Sequence, residues 1–103
     1  MVDKLSNIIR LSHKHKNLLT IVAICNEKHI LYNYILHIGN FFVNKYRRYQ
    51  LNFNCYDPFK MSKKDLEGLN SYPSFIFYKN EKKELYHGVN SNNIDNIIYN
   101  MIN

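Results

Sequence analysis

Tryptophan is absent from the 103 residues, and cysteine (two residues), proline (two) and glycine (three) are scarce. Two cysteines, Cys25 and Cys55, are too few for a disulfide scaffold or a thiolate-built zinc site, and they point to a reducing, intracellular and by default cytoplasmic setting. The five histidines, His13, His15, His29, His37 and His87, follow no metal-ligand spacing, so neither a metal nor another cofactor is expected. No stretch approaches the roughly 20 apolar residues of a membrane span. Leu18 to Cys25 follows the basic Lys14-His15-Lys16 but has no small-residue cleavage pattern, so it reads as a core strand and not as part of a signal peptide. Without a Gly-, Pro- or Ser-rich linker and without internal repeats, one domain over residues 1–103 is expected.

Apolar residues make up 46% of the chain and aromatics 15%, with nine Tyr and six Phe, which suffices for a core without staples. Asn, Lys, Ile and Tyr are abundant; the base composition of an AT-rich genome produces that bias by itself, so the asparagines carry no functional weight. Fourteen basic against eight acidic residues leave a formal charge of +6, which permits attraction to anionic partners. The bases are spread along the chain, however. Lys45, Arg47 and Arg48 form the only tight cluster that ends an expected helix, where cations meet the negative end of the helix dipole. A solvated helix end is the reading, and nucleic acid is not expected as a partner.

Hydrophobic periodicity orders the elements. Leu5, Ile8 and Ile9 recur at helical spacing between Asp3 and His15. Leu18 to Ile24 is a continuous apolar, β-branched run, the pattern of a central strand covered on both faces. From Glu27 to Tyr49, Leu31, Ile35, Ile38, Phe42 and Tyr46 form one stripe of a single long helix, with Gly39-Asn40 as its weak point. Leu51 to Tyr56 alternates like a strand and stops at Asp57-Pro58, which completes a βαβ unit with a right-handed crossover. Ser62 to Leu69 opens with a serine cap and reads as a short helix, and a last helix from about Ser91 carries Ile94, Ile97, Ile98 and Met101. Ile21, Ala23, Ile35, Phe42, Phe53, Phe75, Phe77 and Ile98 are the expected core.

Between the last two helices, Ser71-Tyr72-Pro73-Ser74-Phe75-Ile76-Phe77-Tyr78-Lys79-Asn80 joins a turn proline to an uninterrupted apolar run. The residue before proline favours extended geometry, and Tyr72-Pro73 is a candidate cis bond opening a strand. The polar Lys79-Asn80-Glu81-Lys82 and the strand-like Lys83 to His87 make a hairpin, closed by Gly88. Proline-started strand, hairpin, glycine and closing helix, in this order over residues 51–102, resemble the second half of a thioredoxin. The resemblance implies an α/β, thioredoxin-like fold: a mixed four-stranded sheet, βαβ then ββα, with helices on both faces and the leading edge strand missing or reduced to Met1-Val2.

The chemistry of that family sits in a Cys-x-x-Cys loop after the central strand, where a helix start lowers the first thiol's pKa and the second thiol resolves the mixed disulfide. The corresponding loop here is Cys25-Asn26-Glu27-Lys28-His29, which lacks the pair. Either Cys25 takes the attacking position and Lys28 the resolving one, or Asn26 and His29 replace both cysteines and Cys25 stands where the family has tryptophan. A functional Cys25 would be a thiolate favoured by the helix start, Lys28 and His29; a structural Cys25 would be a small apolar residue finishing a strand. Cys55 belongs with the core, although a Cys25–Cys55 bridge at adjacent strand ends is conceivable. The resemblance also implies that the backbone of Tyr72, beside Pro73, would pair with an extended peptide, a mode of binding that needs no thiol.

The leading expectation is therefore a thioredoxin-like protein without a dithiol site, acting as a non-catalytic protein-binding or scaffold module, as a subunit of a larger assembly for example. Its partner would be a protein or extended peptide near Tyr72-Pro73 and the Cys25 loop, with Asn26, Lys28 and His29 as contacts. The alternative is a monothiol oxidoreductase using Cys25 with an external thiol such as glutathione.

Overall fold

The computed structural model describes residues 18–61 and 73–102. Four strands, β1 (Leu19–Ile24), β2 (Leu51–Tyr56), β3 (Ser74–Lys79) and β4 (Lys82–His87), form one sheet in the order β2-β1-β3-β4. β1 runs parallel to β2, in register from Leu19 opposite Leu51 to Ile24 opposite Tyr56. It runs antiparallel to β3, from Leu19 opposite Lys79 to Ile24 opposite Ser74. The continuous apolar run is thus central, as its composition demands, and every residue of β1 is buried. Among the described residues, helix α1 (Tyr32–Lys45) supplies the crossover between the parallel pair, and helix α2 (Ser91–Ile102) follows β4.

Both helices cover the same face of the sheet. Ile35, Ile38 and Phe42 of α1, Tyr46 just past its end, and Ile94, Ile98 and Met101 of α2 enclose Ile21, Ala23, Phe75 and Phe77. Alternation along the strands sends Val22, Ile24, Ile76 and Tyr78 to the opposite face, where they are also buried. The helices expected over Asp3–His15 and Ser62–Leu69, and the reduced edge strand at Met1-Val2, lie outside the described residues.

Three local expectations need correction. The long helix does not begin at Glu27: residues 27–31 are turns, α1 starts at Tyr32, and a 3-10 turn at Arg47–Tyr49 follows it. Asn26 causes the delay, because its side chain takes the Lys28 N–H (2.7 Å) and its carbonyl the His29 N–H (2.9 Å), closing a turn that competes with helix. Gly39 is not a weak point, since the helix runs through it unbroken. The residue is small because the Phe53 ring lies directly on the helix backbone there, and a methyl group at Gly39 would overlap the ring. Phe53, finally, is only half-buried, because β2 forms a sheet edge among the described residues.

The hairpin is tighter than the sequence suggests: Lys79 pairs with Lys82 across the two residues Asn80 and Glu81. Asn80 takes the left-handed conformation (φ 56°) that asparagine tolerates well. Gly88 (φ 135°) then turns the chain toward α2, whose first amides, those of Asn92 and Asn93, donate to the Asn90 side chain at 3.0 and 3.1 Å.

Candidate functional site

Parallel pairing brings the ends of β1 and β2 together, and the antiparallel partner sets the start of β3 beside them. Ile24 lies opposite Ser74, so Cys25 and Pro73 are the next residues on either side of this end of the ladder. The Cys25 amide extends the parallel pairing by donating to the Tyr56 carbonyl (2.9 Å). Tyr72 lies outside the described residues; Pro73 is half-buried, and its carbonyl accepts the Gly88 amide (3.1 Å).

Cys25 ends the strand as an interior residue, 1% exposed and packed in the cluster of Ile21, Ala23 and Ile35. Its thiol lies 3.6 Å from the Asn26 carbonyl. Burial pushes its pKa up, and the negative charge of Asp57 adds to the effect. The lowering expected from a helix start has no source, because α1 begins only at Tyr32. Neither Lys28, which is exposed, nor His29 is a cause of the shift. Cys55 is half-buried on β2, its sulfur 4.0 Å from the Cys25 carbonyl, and burial with the charges of Cys25 and Asp57 raises its pKa to about 11. Both cysteines are free thiols.

Asn26 and His29 are spent on the loop itself. The Asn26 side chain donates to both carboxylate oxygens of Asp57 (3.3 Å each) as well as accepting from Lys28. His29 Nδ1 accepts the Leu31 amide (3.0 Å), and the His29 carbonyl accepts the Tyr32 amide (3.0 Å). Asp57 in turn takes the Phe59 amide (3.0 Å), starting a 3-10 turn at Pro58–Lys60. One carboxylate therefore ties the loop after β1 to the loop after β2.

Sequence reasoning saw Asp57-Pro58 as a turn and missed this tie. It also missed two exposed apolar side chains on the loops so joined, Ile30 (92% exposed) and Phe59 (85%). A signal was available for Ile30, which stands off the stripe of Leu31, Ile35, Ile38 and Phe42. Across the sheet, Ser74 is buried with its hydroxyl 2.9 Å from Nδ1 of the exposed His87. Among the described residues no three His, Cys, Asp or Glu side chains gather as a metal site, and no helix is long and apolar enough to cross a membrane.

No protein-family model and no curated protein matches the sequence. Solved structures do. Thioredoxin NaTrxh of Nicotiana alata aligns with 98% of this chain and 87% of its own at 17% identity, with a TM-score of 0.80. Thioredoxin O2 of Arabidopsis thaliana, in its oxidised state, aligns with 97% of this chain and 88% of its own at 12% identity, with a TM-score of 0.76. Oxidised thioredoxin from Plasmodium falciparum aligns with 95% of this chain and 92% of its own at 20% identity, with a TM-score of 0.73. At such identities the likeness is one of backbone, and together with the β2-β1-β3-β4 sheet it establishes that this protein has a thioredoxin-like fold.

Proposed function

We propose that this protein is a thioredoxin-like binding or scaffold module that does not carry out dithiol exchange. The observation that carries the reading is the state of Cys25: it is buried, its pKa is raised, and Lys28 occupies the position three residues on, where a resolving thiol would stand. A thiol attacks as its thiolate, so each of these works against disulfide chemistry. What remains at this end of the sheet suits a protein partner: the exposed Lys28, the apolar Ile30 and Phe59, and Pro73 at the mouth of β3. An extended segment of another protein would lie beside Tyr72-Pro73, with Asn26 and His29 shaping the loop it meets, inside a larger assembly. Two free thiols suit an intracellular, reducing compartment.

The test is the pH dependence of alkylation at Cys25 in a Cys55→Ser variant, run beside insulin reduction driven by a thioredoxin reductase. The expected results are labelling in the folded protein that is negligible at pH 7 and rises only above the ordinary thiol range, and reduction at background. A thiol pKa near 7 together with glutathione-dependent turnover would establish the monothiol enzyme instead.

A further inference from the structure

In sequence, Arg47-Arg48 and Lys79 to Lys83 are thirty residues apart; the fold brings them to one end of the sheet, opposite the Cys25 loop. Leu19 pairs with Leu51 on one side and with Lys79 on the other, so the turn before β2 and the β3–β4 hairpin flank the same strand end. Between them lies an open depression of about 310 Å³, lined by Arg48, Tyr49, Gln50, Lys79 and Ile102. Lys82 and Lys83, together with Glu84, border a second depression against Ile97, Asn100 and Met101 of α2.

The charges here are not equally engaged. Lys45 is paired with Asp95 (2.7 Å), and Lys79 donates to the Met101 carbonyl (2.9 Å). Arg47 and Arg48 are exposed and have no ion-pair partner among the described residues. The acidic groups on these elements are Glu81 and Glu84, both exposed on the hairpin, and Asp95 of α2, which is held by Lys45 and Tyr46. Tyr49 is 47% exposed, and its ring is held edge-on against Tyr46 (6.3 Å between centroids). Tyr46 is itself fixed by a hydrogen bond from its hydroxyl to Asp95. An exposed ring in the same depression as an arginine and a lysine offers what single-stranded nucleic acid uses, cations for the phosphates and a ring for a base.

We infer that the Arg48–Tyr49–Lys79 groove binds single-stranded nucleic acid, by phosphate contact at Arg48 and Lys79 and base stacking on Tyr49. The expectation of no nucleic-acid partner followed from bases spread in sequence, and folding removes that ground. A membrane surface fits less well, since Ile102 is the one aliphatic side chain in a lining otherwise made of Arg48, Tyr49, Gln50 and Lys79, too little apolar surface to insert.

The test is fluorescence anisotropy of an end-labelled 15-nucleotide oligouridylate with the full chain, at several salt concentrations. Binding should weaken with salt, with a log–log slope of about −0.7 for each phosphate engaged. Arg48→Ala should flatten that slope by about one contact. Tyr49→Ala should weaken binding roughly 5- to 100-fold with the slope unchanged, while Tyr49→Phe retains it. Lys60→Ala, at the other end of the sheet, should bind as the parent does. These side chains are exposed, so the variants are expected to fold, and a circular dichroism melt checks that they do. No binding at 50 mM salt would overturn the inference. So would a Tyr49→Ala variant that binds as tightly as the parent, or vesicles of anionic lipid that compete as well as unlabelled RNA, because either would reduce the site to a general polyanion surface.

Discussion

Gly39 shows how one side chain's absence can be a contact. Alanine there would gain about 1 kcal/mol of helix propensity but must displace the Phe53 ring. Overpacking costs about 1–3 kcal/mol, so Gly39→Ala should be net destabilising in urea unfolding. The loss should shrink in a Phe53→Ala background, where the overlap is gone; equal losses in both backgrounds would refute the contact. The sequence marked Gly39 as unusual but could not say why, because the reason stands on a strand fourteen residues away. Asp95 is the acidic counterpart. Burial would raise its pKa, but hydrogen bonds from Lys45 and Tyr46 outweigh that and hold it below the ordinary 3.8. The folded state therefore releases this proton more readily than the unfolded chain. Its contribution to stability is complete above the ordinary carboxylate range and is lost as pH falls through the lower folded value. Acid titration of stability should show this component in the parent and lose it in Asp95→Asn.

Among the elements, β3 carries the largest buried side chains, Phe75 and Phe77, both fully enclosed. Phe77→Ala should cost about 3–5 kcal/mol, read from the urea midpoint. The Asn90 cap of α2 is worth less, and Asn90→Ala should cost about 1 kcal/mol. The strands and α2 were legible because unbroken or alternating apolar runs admit few other placements. The proline-opened β3 and its hairpin even revealed the fold family. The start of α1 was not legible, because Glu27 to Leu31 has nothing against helix except the Asn26 side chain, and its competing turn depends on Asp57 thirty-one residues on. The candidate site was legible in the same measure. The sequence located Cys25 and the lack of its partner, but neither the burial of the thiol nor the flanking Ile30 and Phe59, since these follow from where α1 begins.

For the molecule as a whole, two thiols with raised pKa values set an alkaline limit. Cys55 ionises at about 11 when folded against 9.0 as the ordinary value, so the unfolded chain loses this proton first as pH rises. The Cys55 contribution to stability should be constant below pH 9 and fall between 9 and 11. Thermal melts across that range should show the fall, and a Cys55→Ser variant should show less of it. The order of the sheet also bears on how the chain acquires its structure. The central strand finds its antiparallel partner about sixty residues downstream, Leu19 against Lys79. Loop closure over that distance must precede the pairing of β1 with β3, which slows folding relative to a helical bundle with local contacts. On the ribosome the apolar run from Leu19 to Ile24 emerges early and must wait for the hairpin, so nascent chains halted before residue 74 should require a chaperone to stay in solution.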